Sequence, residues 1–178
     1  KPSHEAVMVE EVLENLVFEK NGKYIDCTFG AGGHSSEILK KISDAGALTS
    51  VEKDAQATLK LSSYFTDDSR FRLINDSFSN IRNFFKDKEV DGVLIDLGIS
   101  STQLDDPKRG FSFQSNGPLD MRIDTSKGQT AAEWINNASK KEIEDVLWIL
   151  GQERASRKIA SKVCEFREKR PIESTKEL

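Results

Sequence analysis

"DCTFGAGGH", residues 26–34, decides how this chain is read. A short apolar run closes on Asp26, and Gly30, Gly32 and Gly33 fall within four positions before "HSSEILKKI" begins a helical pattern. Glycine has no Cβ, so a backbone of this kind turns sharply and lets a ligand touch it. In an open parallel sheet, ligands bind beyond the carboxyl ends of the strands. The stretch therefore reads as a strand–turn–helix unit with a ligand at the turn.

Working outward, the flanking segments repeat that unit. Val9, Val12, Leu13 and Leu16 keep the i, i+3, i+4, i+7 spacing of an amphipathic helix. "KYIDCTF", "ALTSVEK", "RFRLIND" and "VDGVLIDLG" read as four strands, the last with the near-continuous apolar content of a strand covered on both faces. Between them, "DAQATLKLSSYF" reads as a helix, and "SNIRNFFKD" as another with Ser79 as N-cap and Ile81, Phe84 and Phe85 inward. Such alternation implies an α/β fold with a parallel twisted sheet, right-handed crossovers and strand order 3-2-1-4.

After Gly98 the texture changes. Residues 99–129 are turn formers with few periodic apolar positions, and read as a long loop that is either functional or disordered. Helices resume at two capping boxes, Thr130-x-x-Glu133 and Ser139-x-x-Glu142. Ile143, Val146, Leu147 and Leu150 form one apolar stripe stopped by Gly151; Ala155, Ile159, Val163 and Phe166 form the next. Two regions are expected, a ligand-binding sheet over 1–104 and a loop with helical insertion over 105–178.

Composition narrows the class. With 37% hydrophobic and 31% charged residues among 178, the chain can bury a core, and no apolar run approaches the roughly 20 residues of a membrane span. Cys27 and Cys164 are too few and too far apart for a disulfide framework or a metal site, which fits a reducing cytoplasm. A net charge of −4 argues against indiscriminate nucleic-acid binding, yet residues 151–170 hold seven Lys/Arg against three Glu.

The second strand ends in Glu52, where an acid accepts hydrogen bonds from the ribose hydroxyls of a nucleoside. NAD(P) and S-adenosylmethionine both fit that far. A dinucleotide fingerprint wants a third glycine where this chain has Ser35. Asp26 followed by Gly30-Ala31-Gly32, with a further acid, Asp96, ending the fourth strand, favours S-adenosylmethionine.

At this point "DCTFGAGGHS", "DGVLIDLGISSTQLDDPKRGFSF", "NGPLDMRID" and "GQERASRKIA" closely resemble the bacterial 16S rRNA cytosine-N4 methyltransferase family. The resemblance runs along nearly the whole chain and implies a Rossmann-like class I methyltransferase with a helical insertion after strand four. It implies cofactor contacts at Gly32, Gly33, His34, Glu52, Phe78, Asp96 and Gln103, with Gly30 beside them in the turn. It also implies 16S rRNA of the small ribosomal subunit as partner. Many amine methyltransferases carry a Pro-Pro-aromatic motif after the strand-four acid; here "DLGISS" stands instead, so analogy does not say how the base is held. The family continues past "TKEL" into further strands, so the chain is expected to be part of a longer protein, with its sheet edge covered by those strands or by a second copy.

Cytosine N4 attacks a sulfonium methyl in line, so positioning carries most of the catalysis. A carboxylate accepting from N4–H favours the reactive nitrogen geometry, and Asp96 is the candidate. Ser100 and Ser101 sit close by in sequence, as contacts to base or cofactor or as turn caps. For RNA, Phe111 and Phe113 beside Arg109 are candidates to stack on an unpaired base. Arg154, Lys158 and Lys162, four apart, are candidates for phosphates on one helix face. A nicotinamide-dependent oxidoreductase and a non-catalytic rRNA-binding module are the alternatives.

Overall fold

Four short parallel strands organise residues 1–100, which form one compact unit; residues 101–178 form a second. The computed structural model describes residues 6–61, 65, 67–85 and 90–178. The strands β1 (Lys23–Asp26), β2 (Ala47–Glu52), β3 (Phe71–Asn75) and β4 (Gly92–Leu94) lie in the order β3-β2-β1-β4, as the alternation implies. All pairs are parallel; Asp26 stands opposite Ser50 and Leu94, and Glu52 opposite Asn75.

Helices α1 (Val9–Leu16) and α2 (Gly33–Lys41) pack with one face of the sheet, and α3 (Ala55–Leu61) packs against β2 and β3. The core on that first face is Val17, Tyr24, Ile38, Leu39, Ile42 and Leu48, with Leu13, Leu16 and Leu94 against it. Burying a Leu or Ile side chain contributes about 1.5–3 kcal/mol, so this cluster is a substantial part of the drive that closes the unit. Lys40 and Lys41 in the last turn of α2 complement the negative end of its dipole.

Two local expectations change. β4 is shorter than its apolar run, and it is not covered on both faces. Leu94 packs inward, while Val93 (45%) and Ile95 (51%) are exposed on the other face. β4 pairs only with β1, so among the described residues it is an edge. The segment after β3 is a 3-10 turn, Phe78–Asn83, capped by Ser77 rather than Ser79. Ser77 accepts from the Ser79 N–H, as an N-cap must, because its backbone is still extended. His4, Ser62–Tyr64 and the end of "SNIRNFFKD" at Lys86 and Asp87 lie outside the described residues.

The second unit carries α4 (Ser101–Asp105), a 3-10 turn (Pro107–Arg109), α5 (Ala131–Asn137), α6 (Lys140–Asp145), a π turn (Val146–Leu150) and α7 (Ser156–Arg167). Its core is Leu119, Ile135, Ala138, Ile143, Ala160, Val163 and Ile172. Both capping boxes form, with Thr130 and Glu133, and Ser139 and Glu142, exchanging bonds reciprocally.

The apolar stripes are only partly as the spacing implies. Ile143 is buried, but Val146 and Leu150 are exposed, because the π turn widens the helix and breaks the 3.6-residue period. On α7 the buried face is Ser156, Ala160 and Val163, and Ile159 turns outward. The stretch 99–129 is not structureless either. It holds α4, the 3-10 turn and a bridge between Pro118 and Ser174.

Arg109 holds that stretch together. It is 6% exposed, and its Nη2 donates to the carbonyls of Arg122 (3.0 Å) and Ile123 (2.8 Å). Its own carbonyl accepts from the Met121 N–H at 2.9 Å. Arg122 in turn forks onto Asp120, at 2.9 and 2.8 Å. The guanidinium thus acts as an internal brace of this stretch. Arg109→Met should therefore destabilise the RNA-free protein by about 1–3 kcal/mol, the cost of leaving buried carbonyls unpaired. Urea unfolding of the full-length protein measures it, and an unchanged midpoint would deny the brace any contribution.

Candidate functional site

The site is built from Asp26 upward. This carboxylate is fully buried at the end of β1. It accepts from the Ser35 hydroxyl at 2.6 Å, the Thr28 N–H at 3.0 Å and, weakly, the Thr28 hydroxyl at 3.4 Å. Ser35 also meets the Ser50 hydroxyl on β2 at 2.8 Å. One carboxylate thus ties together β1, the turn, the start of α2 and β2. Burial pushes the Asp26 pKa up, opposed by the Ser35 and Thr28 donors. The neighbouring Cys27 thiol is pushed up to about 11, first by burial and then by the Asp26 charge, so it stays a thiol.

The three glycines do different things. At Gly32 (φ 78°) a Cβ would sit 2.9 Å from the Phe65 ring, which packs edge-on to Phe29. At Gly33 a Cβ would sit 2.9 Å from Ala6. These two are small because the protein's own atoms fill the space. Gly30 (φ 54°) differs: among the described residues only the Thr28 carbonyl, at 3.8 Å, comes near its Cβ position. Its open side is the place where a ligand can approach the backbone.

Glu52 closes β2 beside that opening. One carboxylate oxygen accepts from the Gly30 N–H and the other from the Asp54 N–H, each at 2.8 Å. A carboxylate oxygen has more than one lone-pair direction, so both retain acceptor capacity. Burial pushes the Glu52 pKa up, and the N–H donors of Asp54 and Gly30 pull against it. The Glu52 carbonyl accepts from the Asn75 amide at 2.8 Å, which pins the ends of β2 and β3 together.

Phe78, 40% exposed, opens the 3-10 turn past β3. Asp96 lies just past β4, with its N–H donating to the Thr28 hydroxyl at 2.8 Å. Its carboxylate is 53% exposed and lies 3.6 Å from Nε2 of His34, on the first turn of α2. Thus Gly30, Gly32, Gly33, His34, Glu52, Phe78 and Asp96 all follow the carboxyl ends of the four strands. Sequence reasoning missed Thr28, Ser35, Ser50 and Asn75, the polar groups that hold this rim. Ser35 was legible in principle, since it stands where a dinucleotide fingerprint needs glycine. A depression lined by Asp44, Asp67, Asp68, Ser69 and Arg70 lies at the other end, where β2 and β3 begin, and there Asp68 and Arg70 satisfy each other.

In the second unit, Gln103 is buried on α4 and Phe111 is half-buried, while Phe113 is 90% exposed. Lys158 and Lys162 are exposed on α7, but Arg154 precedes the helix in a turn, so the three do not form one helical stripe. Lys162 pairs with Glu165 at 2.6 Å.

A parallel sheet of order 3-2-1-4 with a glycine turn after β1 and acids at the ends of β2 and β4 is a Rossmann-like arrangement, and the family it serves here is that of a methylase. The chain belongs to the MraW methylase family, which matches residues 1–178. It is 45% identical over 181 residues to "Ribosomal RNA small subunit methyltransferase H" of Idiomarina loihiensis, covering 99% of this chain and 57% of that protein. The protein of the same name from Marinomonas sp. is 46% identical over 179 residues, covering 98% of this chain and 57% of the relative. The chain thus spans under two thirds of the length of these relatives. Among solved structures, a putative rRNA-methylase from Clostridium thermocellum aligns with a TM-score of 0.47 and 18% identity, over 52% of this chain and 50% of that one.

A methylase family of this fold implies S-adenosylmethionine as methyl donor, and the rim fits it. The open side of Gly30 is a cradle that a Cβ would fill, and Glu52 presents acceptors next to it.

The buried Asp26 gives a pH prediction. Its folded pKa lies above the ordinary 3.8, so the stability it contributes is full below that value and is lost as pH rises through the folded pKa. Asn cannot titrate. The penalty of Asp26→Asn should therefore be largest near about pH 4 and smaller near about pH 7, followed by urea unfolding across that range. A penalty that grows with pH would reverse the assignment.

Proposed function

We propose that the full-length protein is an S-adenosylmethionine-dependent methyltransferase acting on the N4 amine of a decoding-centre cytosine in 16S rRNA of the small ribosomal subunit. The observation that carries the reading is the polar rim itself: Gly30 with an open side, Glu52 hydrogen-bonded to its N–H, and a half-exposed Asp96 after the next strand. The family and the printed names of its relatives support the reaction class and the rRNA substrate.

Bound S-adenosylmethionine supplies an electrophilic methyl on a positively charged sulfur. Glu52 accepts from the ribose hydroxyls. The glycine turn and His34, with Phe78, complete the cofactor contacts of the first unit. Asp96 accepts a hydrogen bond from the target amine, disperses the positive charge that develops on nitrogen and receives the proton on a carboxylate oxygen. Phe113, with its ring in solvent, is the stacking candidate for an unpaired base, ahead of the half-buried Phe111. Arg154 and Lys158 are candidate phosphate contacts; Lys162 is partly neutralised by Glu165.

Two outcomes test the reading. Glu52→Ala should weaken S-adenosylmethionine binding to the full-length protein by about 1–3 kcal/mol in calorimetry, from unmatched hydroxyls and the freed Gly30 N–H. Unchanged affinity would remove Glu52 from the ribose site. Asp96→Asn should slow single-turnover methylation of small-subunit particles by about a hundredfold or more, within the range of lost proton-transfer catalysis, with a smaller loss in cofactor binding. A wild-type rate would exclude Asp96 from the chemistry. Absence of methyl transfer by the wild type would end the enzymatic reading.

A further inference from the structure

His34 is buried, at 8% exposure, yet its hydrogen bonding is not complete. Nδ1 is buried without a partner among the described residues. Nε2 faces Oδ2 of Asp96 at 3.6 Å. A core histidine kept only for packing would be expected to satisfy both nitrogens, because an unpaired buried nitrogen is costly. Among the described residues its one ion-pair contact is to the carboxylate that the proposed chemistry uses, with the buried Asp26 acting on it electrostatically from the sheet side.

The placement of Asp96 gives that relation a purpose. Its backbone is anchored, since its N–H donates to the Thr28 hydroxyl, which in turn leans on Asp26. Its carboxylate is half in solvent and would otherwise be free to rotate. His34 sits at the start of α2, where Asp26 and Ser35 hold the helix to the sheet. A rigid element thus presents a ring nitrogen to one oxygen of a loosely held acid. The separation exceeds a formed hydrogen bond, and such contacts in ligand-free sites tighten when the ligand arrives.

We propose that His34 is a positioning residue for Asp96: its Nε2–H engages Oδ2 and turns the other carboxylate oxygen toward the target amine. The proton then resides on Nε2 and leaves Nδ1 as the unprotonated nitrogen, the tautomer being set by the partner. This role is additional to the cofactor contact proposed above, and it rests on the reading of Asp96 as the acceptor for the amine.

Two measurements on the full-length protein decide it. Long-range proton–nitrogen NMR of the imidazole should show the Nε2–H tautomer for His34, and Asp96→Asn should shift those nitrogen resonances. The only other histidine in this stretch, His4, is separated by a His4→Gln variant. An Nδ1–H tautomer, or resonances indifferent to Asp96→Asn, would overturn the pairing whether or not the protein transfers methyl groups.

The second measurement is single-turnover methylation alongside cofactor affinity. His34→Leu should slow transfer at saturating S-adenosylmethionine about tenfold or more, over and above its loss of cofactor affinity. His34→Gln keeps an N–H at comparable reach and should restore most of the rate. His34→Asn, polar but too short to reach Oδ2, should be as slow as Leu and serves if the Leu variant does not fold. Equal rates for Gln and Asn, or a wild-type rate for either Leu or Asn, would overturn the positioning role. Loss of methyl transfer in the wild type would instead overturn the reading of function and leave the pairing to the NMR result.

Discussion

Taking one carboxylate wholly out of water is the constraint on which the rest of the first unit depends. A charged group in that position must be surrounded by donors or it neutralises. The chain surrounds Asp26 from three directions: the Thr28 N–H from the turn, the Ser35 hydroxyl from α2, and Ser50 behind Ser35 from β2. The turn between β1 and α2 is therefore held by polar bonds beneath it and by aromatic rings beside it. Gly32 yields its Cβ space to Phe65, and the Phe65 ring lies 4.7 Å from Phe71 on β3. With the turn fixed from below and from the side, its upper surface is free for Gly30, Glu52 and Asp96. Thr28 connects the two levels, since the hydroxyl that leans on Asp26 also accepts from Asp96.

How much of this was legible depends on whether the cause was local. Strand order follows from alternation, and both capping boxes follow from residue pairs three apart; each appears where the sequence places it. The acids that end β2 and β4 were legible for the same reason. The reading went astray where the cause is distant. Arg109 beside Pro107 and Gly110 has the look of a solvated loop charge, but the carbonyls that draw it inward belong to Arg122 and Ile123. β4 has the composition of a strand covered on both faces, yet Val93 and Ile95 are exposed on one of them.

The helices of the second unit show a different limit. Apolar spacing assumes a constant pitch. One wide turn at Val146–Leu150 shifts the positions within it around the axis, so Val146 and Leu150 emerge where a uniform helix would have buried them. Here the Gly151 N–H donates to the carbonyl of Val146, and the Glu153 N–H to that of Leu147. Backbone bonds of this kind leave little trace in the side-chain pattern.

The placement of the aromatic residues gives the two units separate optical reporters. Both tryptophans, Trp134 and Trp148, belong to residues 101–178, one packed against the helical core and the other 56% exposed on the π turn. Both tyrosines, Tyr24 and Tyr64, belong to residues 1–100. Within this stretch, indole emission excited at its red edge therefore reports the helical unit alone. Tyrosine emission follows the sheet through Tyr24, which is buried at its centre. The cooperativity of the two units can be followed by light without adding a label to either.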